Sequence, residues 1–103
     1  MIDIGVIGYG YWGPNIVRNF NELLEARVVT VCDLRPERLA PVKKRYPTVK
    51  TTVDPTDVFN DPEIRAVAIA TPVATHFDLA MKALQSNQHV LIEKPLADRK
   101  SVV

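Results

Sequence analysis

The sequence lacks several features that would place a protein in a specialised class. A single cysteine, Cys32, excludes an internal disulfide, and it lies in an apolar run where a free thiol behaves as a small buried hydrophobe. No apolar run approaches the roughly 18–20 residues of a membrane span. The amino terminus has neither the charged segment nor the cleavage pattern of a signal peptide. We therefore expect a cytoplasmic protein without membrane contact.

Excess charge is also missing. The formal net charge is +1 over 103 residues, without a basic stripe, so we expect no nucleic-acid partner. The basic cluster at 43–45 is predicted to be the solvated end of a helix, where cations offset the negative end of the dipole. Apolar and charged residues make up 47% and 24%, as in soluble globular proteins, and the length fits one domain, 1–103. No metal site is predicted.

Glycine is scarce as well, but three of the four glycines form Gly8-x-Gly10-x-x-Gly13 between an apolar run and an amphipathic stretch. In this strand–turn–helix context the spacing is typical of a site for a dinucleotide pyrophosphate. Gly8 permits the tight turn, Gly10 lets the phosphates approach the backbone, and Gly13 lets the helix lie close to the sheet. The free N–H groups at the start of the helix would face the anion.

Short β-rich runs alternate with helical stretches along the whole chain. Strands are predicted at 3–7, 28–32, 49–53, 66–70 and 89–92. Helices are predicted from Pro14, at 36–46 and from Thr75 to about Asn87, with a brief helical turn at 55–59. This alternation predicts an α/β fold of the Rossmann type, a doubly wound parallel sheet in three α/β/α layers with strand order 3-2-1-4-5.

The helices carry more detailed expectations. Pro41 falls inside the second helix, so that helix either starts later than Pro36 or is kinked. Thr75 and Asp78 form a capping-box pattern, and Asn87 is predicted to end the last helix in the left-handed conformation. The apolar face of the first helix is predicted to be Ile16, Val17, Phe20, Leu23 and Leu24. That of the last helix is predicted to be Phe77, Leu79, Ala80, Ala83 and Leu84.

Asp33 follows the second predicted strand, 20 residues (33 − 13) after Gly13. A carboxylate there can accept hydrogen bonds from the adenosine ribose and would repel a 2′-phosphate, which favours NAD over NADP. Arg35 could weaken that preference, because NADP sites use arginine. A second role for Asp33, compatible with the first, is the N-cap of a helix that begins at Pro36.

Two further polar groups follow the fourth and fifth predicted strands. Thr71, Pro72 and His76 come after the fourth strand, and Glu93 and Lys94 after the fifth. In open α/β sheets ligands bind beyond the carboxyl ends of the strands, so these residues are expected at one edge. Lys94 could hold a substrate oxygen or shift its pKa for proton transfer, or it could be a solvated partner of Glu93. His76 alone fits an exposed position as well as a functional one.

Taken together, four strings resemble the glucose–fructose oxidoreductase/inositol dehydrogenase (Gfo/Idh/MocA) family over the whole chain. They are Gly-Tyr-Gly-Tyr-Trp-Gly-Pro-Asn at 8–15, Val-Cys-Asp at 31–33, Ala-Thr-Pro at 70–72 with His76, and His-Val-Leu-Ile-Glu-Lys-Pro-Leu-Ala at 89–97. The Glu-Lys-Pro segment is the most specific of these. The Tyr-Trp-Gly-Pro-Asn variant looks most like the branch of UDP-N-acetyl-sugar 3-dehydrogenases.

For the adenosine half of the cofactor, the resemblance implies that the three glycines line the pyrophosphate together with Tyr11 and Trp12. Asp33 would then hold the adenosine ribose. Packing between helix and sheet is an equally good explanation of Trp12, because large aromatic side chains bury well anywhere.

For the nicotinamide half, the resemblance implies that Thr71, Pro72 and His76 border the ring. Glu93 would contact the nicotinamide ribose. Lys94 would be the catalytic residue of this chain, forming a hydrogen bond with the sugar hydroxyl that is oxidised.

The resemblance also implies a second, larger α/β domain that supplies most of the substrate pocket and a catalytic base, and assembly into a homo-oligomer. We therefore expect these 103 residues to be the cofactor-binding domain of an NAD-dependent dehydrogenase whose substrate is a sugar or nucleotide-sugar. The competing hypothesis is a non-catalytic module in which NAD binding regulates a partner. The coding sequence that follows Val103 would distinguish the two.

Overall fold

The structure, a computed structural model, describes residues 1–10 and 12–92, and in them five parallel strands form one sheet. The strands are β1 (Ile2–Ile7), β2 (Ala26–Cys32), β3 (Lys50–Thr52), β4 (Ala66–Ile69) and β5 (His89–Ile92). The helices are α1 (Gly13–Asn21), α2 (Ala40–Arg45), α3 (Thr56–Phe59) and α4 (His76–Gln85), with 3₁₀ turns at Pro36–Arg38 and Val73–Thr75. No helix in the described ranges is long and apolar enough to cross a membrane.

The sheet order is β3-β2-β1-β4-β5, which confirms the predicted fold class and strand order. Ile7 at the end of β1 pairs with Cys32 of β2 and with Ile69 of β4. Cys32 pairs with Thr52, and Ile69 pairs with Ile92. All five strands therefore end at one level, and the chain reverses its direction of winding between β3 and β4, beside β1. That reversal opens a crevice between the carboxyl ends of β1 and β4.

Two apolar clusters cover the two faces of the sheet. Ile4 and Val6 of β1 pack with Val17 of α1 and Val42 of α2, whereas Ile7 belongs to the cluster that contains Val58 of α3 and Ala83 of α4. Alternate residues of one strand point to opposite faces, so β1 contributes to both clusters. Burial of each large aliphatic side chain stabilises the fold by about 1.5–3 kcal/mol. Because both faces of the sheet are covered by helices in this way, the fold has three layers.

The first helix is shorter than predicted. Val17 is buried and Ile16 and Phe20 are partly buried, as expected, but Leu23 is 54% exposed and Leu24 is 93% exposed. The prediction for these two leucines is wrong because α1 ends at Asn21, before the apolar spacing ends. Beyond that point the side chains no longer follow the helical period, and the next strand already begins at Ala26.

The second helical region divides into two pieces, which settles the alternatives raised by Pro41. A 3₁₀ turn covers Pro36–Arg38, and α2 begins at Ala40 with Pro41 in its first turn. Proline is tolerated there because the N–H groups of a first turn have no partner within the helix. The basic residues at 43–45 form the exposed last turn of α2, as predicted.

The predicted capping box of the last helix is wrong. The α4 helix begins at His76, and the Thr75 side chain makes no cap hydrogen bond. Its hydroxyl instead donates to the carbonyl oxygen of Pro72 at 2.7 Å, so it closes the preceding 3₁₀ turn. Short hydroxyl side chains often make such local backbone bonds, which compete with capping.

The apolar face of α4 is narrower than predicted. Ala83 is buried and Leu79 and Ala80 are partly buried against the second cluster, whereas Phe77 is 74% exposed and Leu84 is 56% exposed. The prediction is wrong for these two residues because a helix that packs on one side of a sheet buries only one stripe of its surface. The end of the helix is as expected, since Asn87 has a φ of 60°, in the left-handed region.

Candidate functional site

A cleft of about 930 Å³ lies at the carboxyl edge of the sheet. It is formed by the ends of β1, β2 and β4 and by the segments that follow them. Its lining includes six of the predicted site residues, namely Gly8, Gly10, Trp12, Asp33, Thr71 and Pro72. The edge predicted from the order of the strands is thus where the structure brings these residues together.

The turn after β1 requires glycine at its first position. Gly8 has a φ of 101°, which residues with a side chain rarely adopt. A Cβ atom at Gly8 would also lie 2.8 Å from the carbonyl carbon of Ala70, so the turn packs directly against the end of β4. The Gly8 N–H donates to the carbonyl oxygen of Cys32 at 2.7 Å, which fixes the turn to β2 on the other side.

The first helix starts close against that turn. Gly13 is buried at the first position of α1, and a Cβ atom there would collide with the carbonyl oxygen of Gly8. Trp12 precedes the helix, is half-buried and lines the cleft, and it makes no side-chain cap hydrogen bond. No acidic residue lies in the first turn of α1. The positive end of the helix dipole is therefore not countered by an acidic side chain of that turn, which favours binding of an anion.

Asp33 connects two turns through its carboxylate. Oδ2 accepts the N–H of Tyr9 at 2.8 Å, and Oδ1 accepts the N–H of Arg35 at 2.8 Å. The residue is almost entirely buried, yet it lines the cleft. Each carboxylate oxygen has a second lone pair, so hydroxyl donors can still be accepted. The predicted N-cap role is wrong, because the helical turn at Pro36 is preceded by Arg35 and has no side-chain cap.

Arg38 was not among the predicted site residues, and the structure places it in the lining of the cleft. Its Nη1 lies 3.6 Å from Oδ2 of Asp33. A Cβ atom at Gly10 would lie 2.9 Å from the same Nη1, so the guanidinium covers the open side of Gly10. The sequence feature that could have indicated this position is Pro36. It lies three residues after Asp33 and starts a 3₁₀ turn, which brings residue 38 back toward residue 33.

The segment after β4 is held by its own side chains. The hydroxyls of Thr71 and Thr75 share a hydrogen bond of 2.6 Å, and Nε2 of His76 lies 2.7 Å from the carbonyl oxygen of Thr71. Thr71 and Pro72 line the cleft, whereas His76 is not among the described residues of its wall. The His76 ring is thus hydrogen-bonded to the backbone of the segment that follows β4. Its contact with a nicotinamide ring stays a prediction.

Cys32 lies at the end of β2 and is fully buried. Burial, and secondarily the nearby Asp33 carboxylate, raises the pKa of its thiol to about 12. The thiol is thus protonated at neutral pH, and a protonated thiol is a poor nucleophile. This supports the expected role as a buried hydrophobe.

The structural positions of Tyr11, Glu93 and Lys94 lie outside the described residues. The roles expected for them, including the catalytic role of Lys94, stay predictions. Among residues 1–10 and 12–92, no group of three or more His, Cys, Asp or Glu could hold a metal ion.

Residues 2–102 match the sequence model of the Gfo/Idh/MocA family, described as an oxidoreductase family with an NAD-binding Rossmann fold. The chain belongs to this family. It is 36% identical over 97 residues to inositol 2-dehydrogenase 2 of Paenarthrobacter aurescens (strain TC1), covering 93% of this chain and 29% of that protein. It is 27% identical over 95 residues to the scyllo-inositol 2-dehydrogenase (NADP(+)) IolW of Bacillus subtilis (strain 168), covering 92% and 26%.

A solved structure has a similar fold. The scyllo-inositol dehydrogenase from Lactobacillus casei, with bound cofactor NAD(H) and scyllo-inositol, superposes with a TM-score of 0.84 at 28% identity. The match covers 92% of this chain and 28% of that one. The chain thus spans between a quarter and a third of the length of the relatives it matches. The part of these relatives that the chain matches has the NAD-binding Rossmann fold described for the family.

The residues present fit a dinucleotide. Gly8 and Gly13 bring bare backbone and a helix start to one corner of the cleft. Gly10 leaves that corner open except for the movable end of the Arg38 side chain. Asp33 supplies an acceptor for hydroxyl groups beside it. These are the parts that a pyrophosphate and its ribose require.

Proposed function

We propose that the protein is a dehydrogenase that transfers a hydride between the hydroxyl-bearing carbon of a cyclic polyol or sugar and the nicotinamide of NAD. The observation that carries the cofactor part is the corner built by Gly8, Gly13 and Asp33, in which the carboxylate accepts the main-chain N–H of Tyr9 from the glycine turn. The substrate class is supported by the relatives, since two of them are inositol dehydrogenases by name and the solved structure contains scyllo-inositol.

In this proposal the chain supplies position and hydrogen bonds. Bound nicotinamide supplies the hydride acceptor. The glycine turn and Asp33 fix the adenosine half of the cofactor at one side of the crevice, and Thr71 with Pro72 forms the wall on the other side. Lys94, which follows β5 by two residues in the sequence, donates a hydrogen bond to the substrate oxygen. The hydroxyl proton passes to a base outside these 103 residues.

The named relatives make an inositol the first candidate substrate. A nucleotide-sugar, such as a UDP-N-acetyl-hexosamine, is the second, on the strength of the Tyr-Trp-Gly-Pro-Asn string at 11–15. NAD is the preferred cofactor in the proposal because of Asp33. A cytoplasmic location and a homo-oligomeric assembly belong to the same proposal.

The experiment uses protein expressed from the complete reading frame that contains this sequence. It is supplied with NAD and, in separate reactions, with myo-inositol, scyllo-inositol and a panel of UDP-sugars, and NADH formation is followed by absorbance. We expect turnover with one of these alcohols. Binding of NADH without turnover of any of them would favour a non-catalytic NAD-binding module instead.

Lys94→Ala is the variant that tests the catalytic assignment. We expect its turnover to fall by about 10²–10³-fold, the usual loss when one hydrogen-bond donor to the reacting oxygen is removed. The affinity for NADH should change little, because the cleft corner at Gly8 and Asp33 is intact. Lys82→Ala, on the exposed surface of α4, is the matched control. Unchanged turnover in Lys94→Ala would remove Lys94 from the mechanism.

A further inference from the structure

The side chain of Thr71 is held from two sides. Its γ-methyl lies 3.0 Å from the position that a Cβ atom at Gly8 would occupy, so the methyl packs against the glycine turn. Its Oγ1 lies 2.6 Å from Oγ1 of Thr75, in the segment that follows β4. Thr71 and Thr75 both line the cleft. These two contacts fix the only rotatable bond of the Thr71 side chain that moves its oxygen, so the hydroxyl has a defined position in the wall.

The direction of the bond between the two hydroxyls follows from the carbonyl group beside them. Oγ1 of Thr75 lies 2.7 Å from the carbonyl oxygen of Pro72, and a carbonyl oxygen can only accept. The single hydroxyl proton of Thr75 is therefore donated to that carbonyl. The hydrogen bond of 2.6 Å must then be donated by Thr71, whose own proton is used in turn. Thr71 offers lone pairs to the cleft, so its hydroxyl acts there as an acceptor.

The neighbouring carbonyl oxygens already accept hydrogen bonds. Nε2 of His76 lies 2.7 Å from the carbonyl oxygen of Thr71, and this nitrogen carries the proton because the carbonyl can only accept. The carbonyl oxygen of Pro72 accepts from Thr75. The Thr71 hydroxyl, which donates in this network, keeps its lone pairs for a ligand. It is therefore the acceptor of this wall that a donor group in the cleft can use most readily.

We infer that Thr75 is a positioning residue, which makes the Thr71 hydroxyl an acceptor for the amide nitrogen of the nicotinamide carboxamide. The inference rests on the proposed binding of NAD in the cleft. A carboxamide has a donor end, the NH₂ group, and an acceptor end, the carbonyl oxygen. A free threonine hydroxyl would pair with either end, whereas one whose proton is already used pairs only with the nitrogen. The two threonines thereby select one of the two orientations of the carboxamide.

The test compares NADH with its 3-acetylpyridine analogue, in which a methyl group replaces the amide NH₂ and the carbonyl oxygen is kept. Both ligands are used in the reduced form, and their dissociation constants are measured by calorimetry. The proteins are that from the complete reading frame and its variants Thr71→Val, Thr75→Val and Thr75→Ser. Thr48→Val, in the exposed turn before β3, is the matched control.

The two valine variants should act on different ligands. Thr71→Val removes the acceptor, so NADH should bind about three- to tenfold more weakly, the usual value of one neutral hydrogen bond, with little change for the analogue. Thr75→Val frees the proton of Thr71, so the analogue should bind about three- to tenfold more tightly through its carbonyl oxygen, with little change for NADH. Thr75→Ser keeps the hydroxyl and should behave like the starting protein.

Several results would overturn the inference. Equal weakening of both ligands by Thr71→Val would mean that the hydroxyl binds a group that the two share, such as a ribose hydroxyl. Equal weakening of both by Thr75→Val would mean that Thr75 only holds the loop. Changes of the same size in Thr48→Val would mean that the effect does not depend on a position in the cleft.

Failure of the proposed function gives a different result. Starting protein that binds neither ligand would overturn the cofactor site and, with it, the roles of both threonines. Binding of NADH with an affinity that neither valine variant changes, and with no gain for the analogue, would leave the site in place and overturn the inference alone. Thermal unfolding of each variant verifies the fold, and Thr71→Val retains the methyl group that packs against Gly8.

Discussion

The two turns that face each other across the crevice are built in opposite ways. After β1 the chain uses bare backbone: Gly8 takes a positive φ and packs on Ala70. After β4 the chain uses side chains: Thr71, Thr75 and His76 satisfy one another and the loop carbonyls. Both turns lead into a helix, and the first places two glycines, Gly8 and Gly10, in the lining of the cleft.

The difference shows that the two turns at this edge of the sheet contribute to the cleft in different ways. Glycines in the wall of a cleft let a ligand approach the backbone closely, which suits a phosphate beside the start of a helix. A turn whose polar groups are already paired holds its shape and provides a rigid wall. We expect substitutions in the first turn to act on ligand binding or on backbone strain, and those in the second to act on the shape of the wall.

The largest effect is expected at Gly8. Gly8→Ala places a side chain at a φ of 101° and within 2.8 Å of the Ala70 backbone. The strain should lower the free energy of unfolding by about 1–3 kcal/mol, or more where the neighbouring backbone must move. Urea denaturation measures this loss, and NADH binding should disappear with it. A variant of unchanged stability would contradict the geometry of the turn.

Gly10→Ala separates binding from folding within the same turn. The three atoms nearest to a Cβ atom there all belong to the guanidinium end of Arg38, which can move. We expect the free energy of unfolding to change by no more than about 0.5 kcal/mol. NADH affinity should fall by about tenfold or more, because the methyl group occupies the approach of the pyrophosphate. Calorimetry measures the NADH affinity and urea denaturation measures the free energy of unfolding on the same sample. If the free energies of binding and of unfolding fall by equal amounts, Gly10 does not act on binding separately from folding.

His76→Ala tests the second turn. It removes the hydrogen bond to the Thr71 carbonyl, and the free energy of unfolding should fall by about 1 kcal/mol. His76→Gln can donate to the same carbonyl and should recover part of the loss. His89→Ala, at an exposed position that starts β5, is the control and should have little effect. If the two alanine variants behave alike, His76 does not hold the wall.

Cys32 is the last residue of β2, directly before Asp33, and is buried where it meets the cleft. Since burial raises its pKa to about 12, the folded protein should resist alkylation at pH 8, where an unfolded cysteine, with a pKa of about 8.5, reacts readily. Iodoacetamide labelling followed by mass spectrometry measures the rate, with urea-unfolded protein as the reference. Rapid labelling of the folded protein would contradict the buried position.

The smallest effect is expected far from both turns, at the Asp3–Arg27 pair. The hydrogen bond from Arg27 lowers the pKa of Asp3, so the pair stabilises the fold above the pKa of the unfolded chain and loses this effect as pH falls through the folded pKa. Arg27 is 60% exposed, so solvent screens the pair and its contribution to stability is small. The stability difference between starting protein and Asp3→Asn should therefore shrink below about pH 4, as urea denaturation at several pH values would show.

Much of the fold could be predicted because its signals are local. The alternation of strands and helices, the glycine spacing and Asn87 each depend on a few neighbouring residues, and the structure agrees with all of them. The site edge follows from the same information, since parallel strands place their carboxyl ends together. Asp33 and Thr71 could therefore be assigned to one cleft without any knowledge of their contacts.

The errors concern features that depend on tertiary packing or on competition between local bonds. Leu24 and Phe77 continue an apolar spacing, but whether a residue at that spacing is buried depends on where the helix ends and how the sheet lies beneath it. Thr75 could cap a helix or close a turn, and the second choice prevails. Arg38 is five residues from Asp33 in sequence, and only the 3₁₀ turn at Pro36 makes them neighbours.

The order of the strands also determines when the crevice can exist. Its two walls lie on segments about 60 residues apart, and Gly8 reaches its final contacts only when Ala70 packs against it. A nascent chain on the ribosome that ends before β4 contains the complete glycine turn but no opposite wall. The ability to capture a dinucleotide should thus arise abruptly during synthesis, after the fourth strand has left the exit tunnel and joined the first.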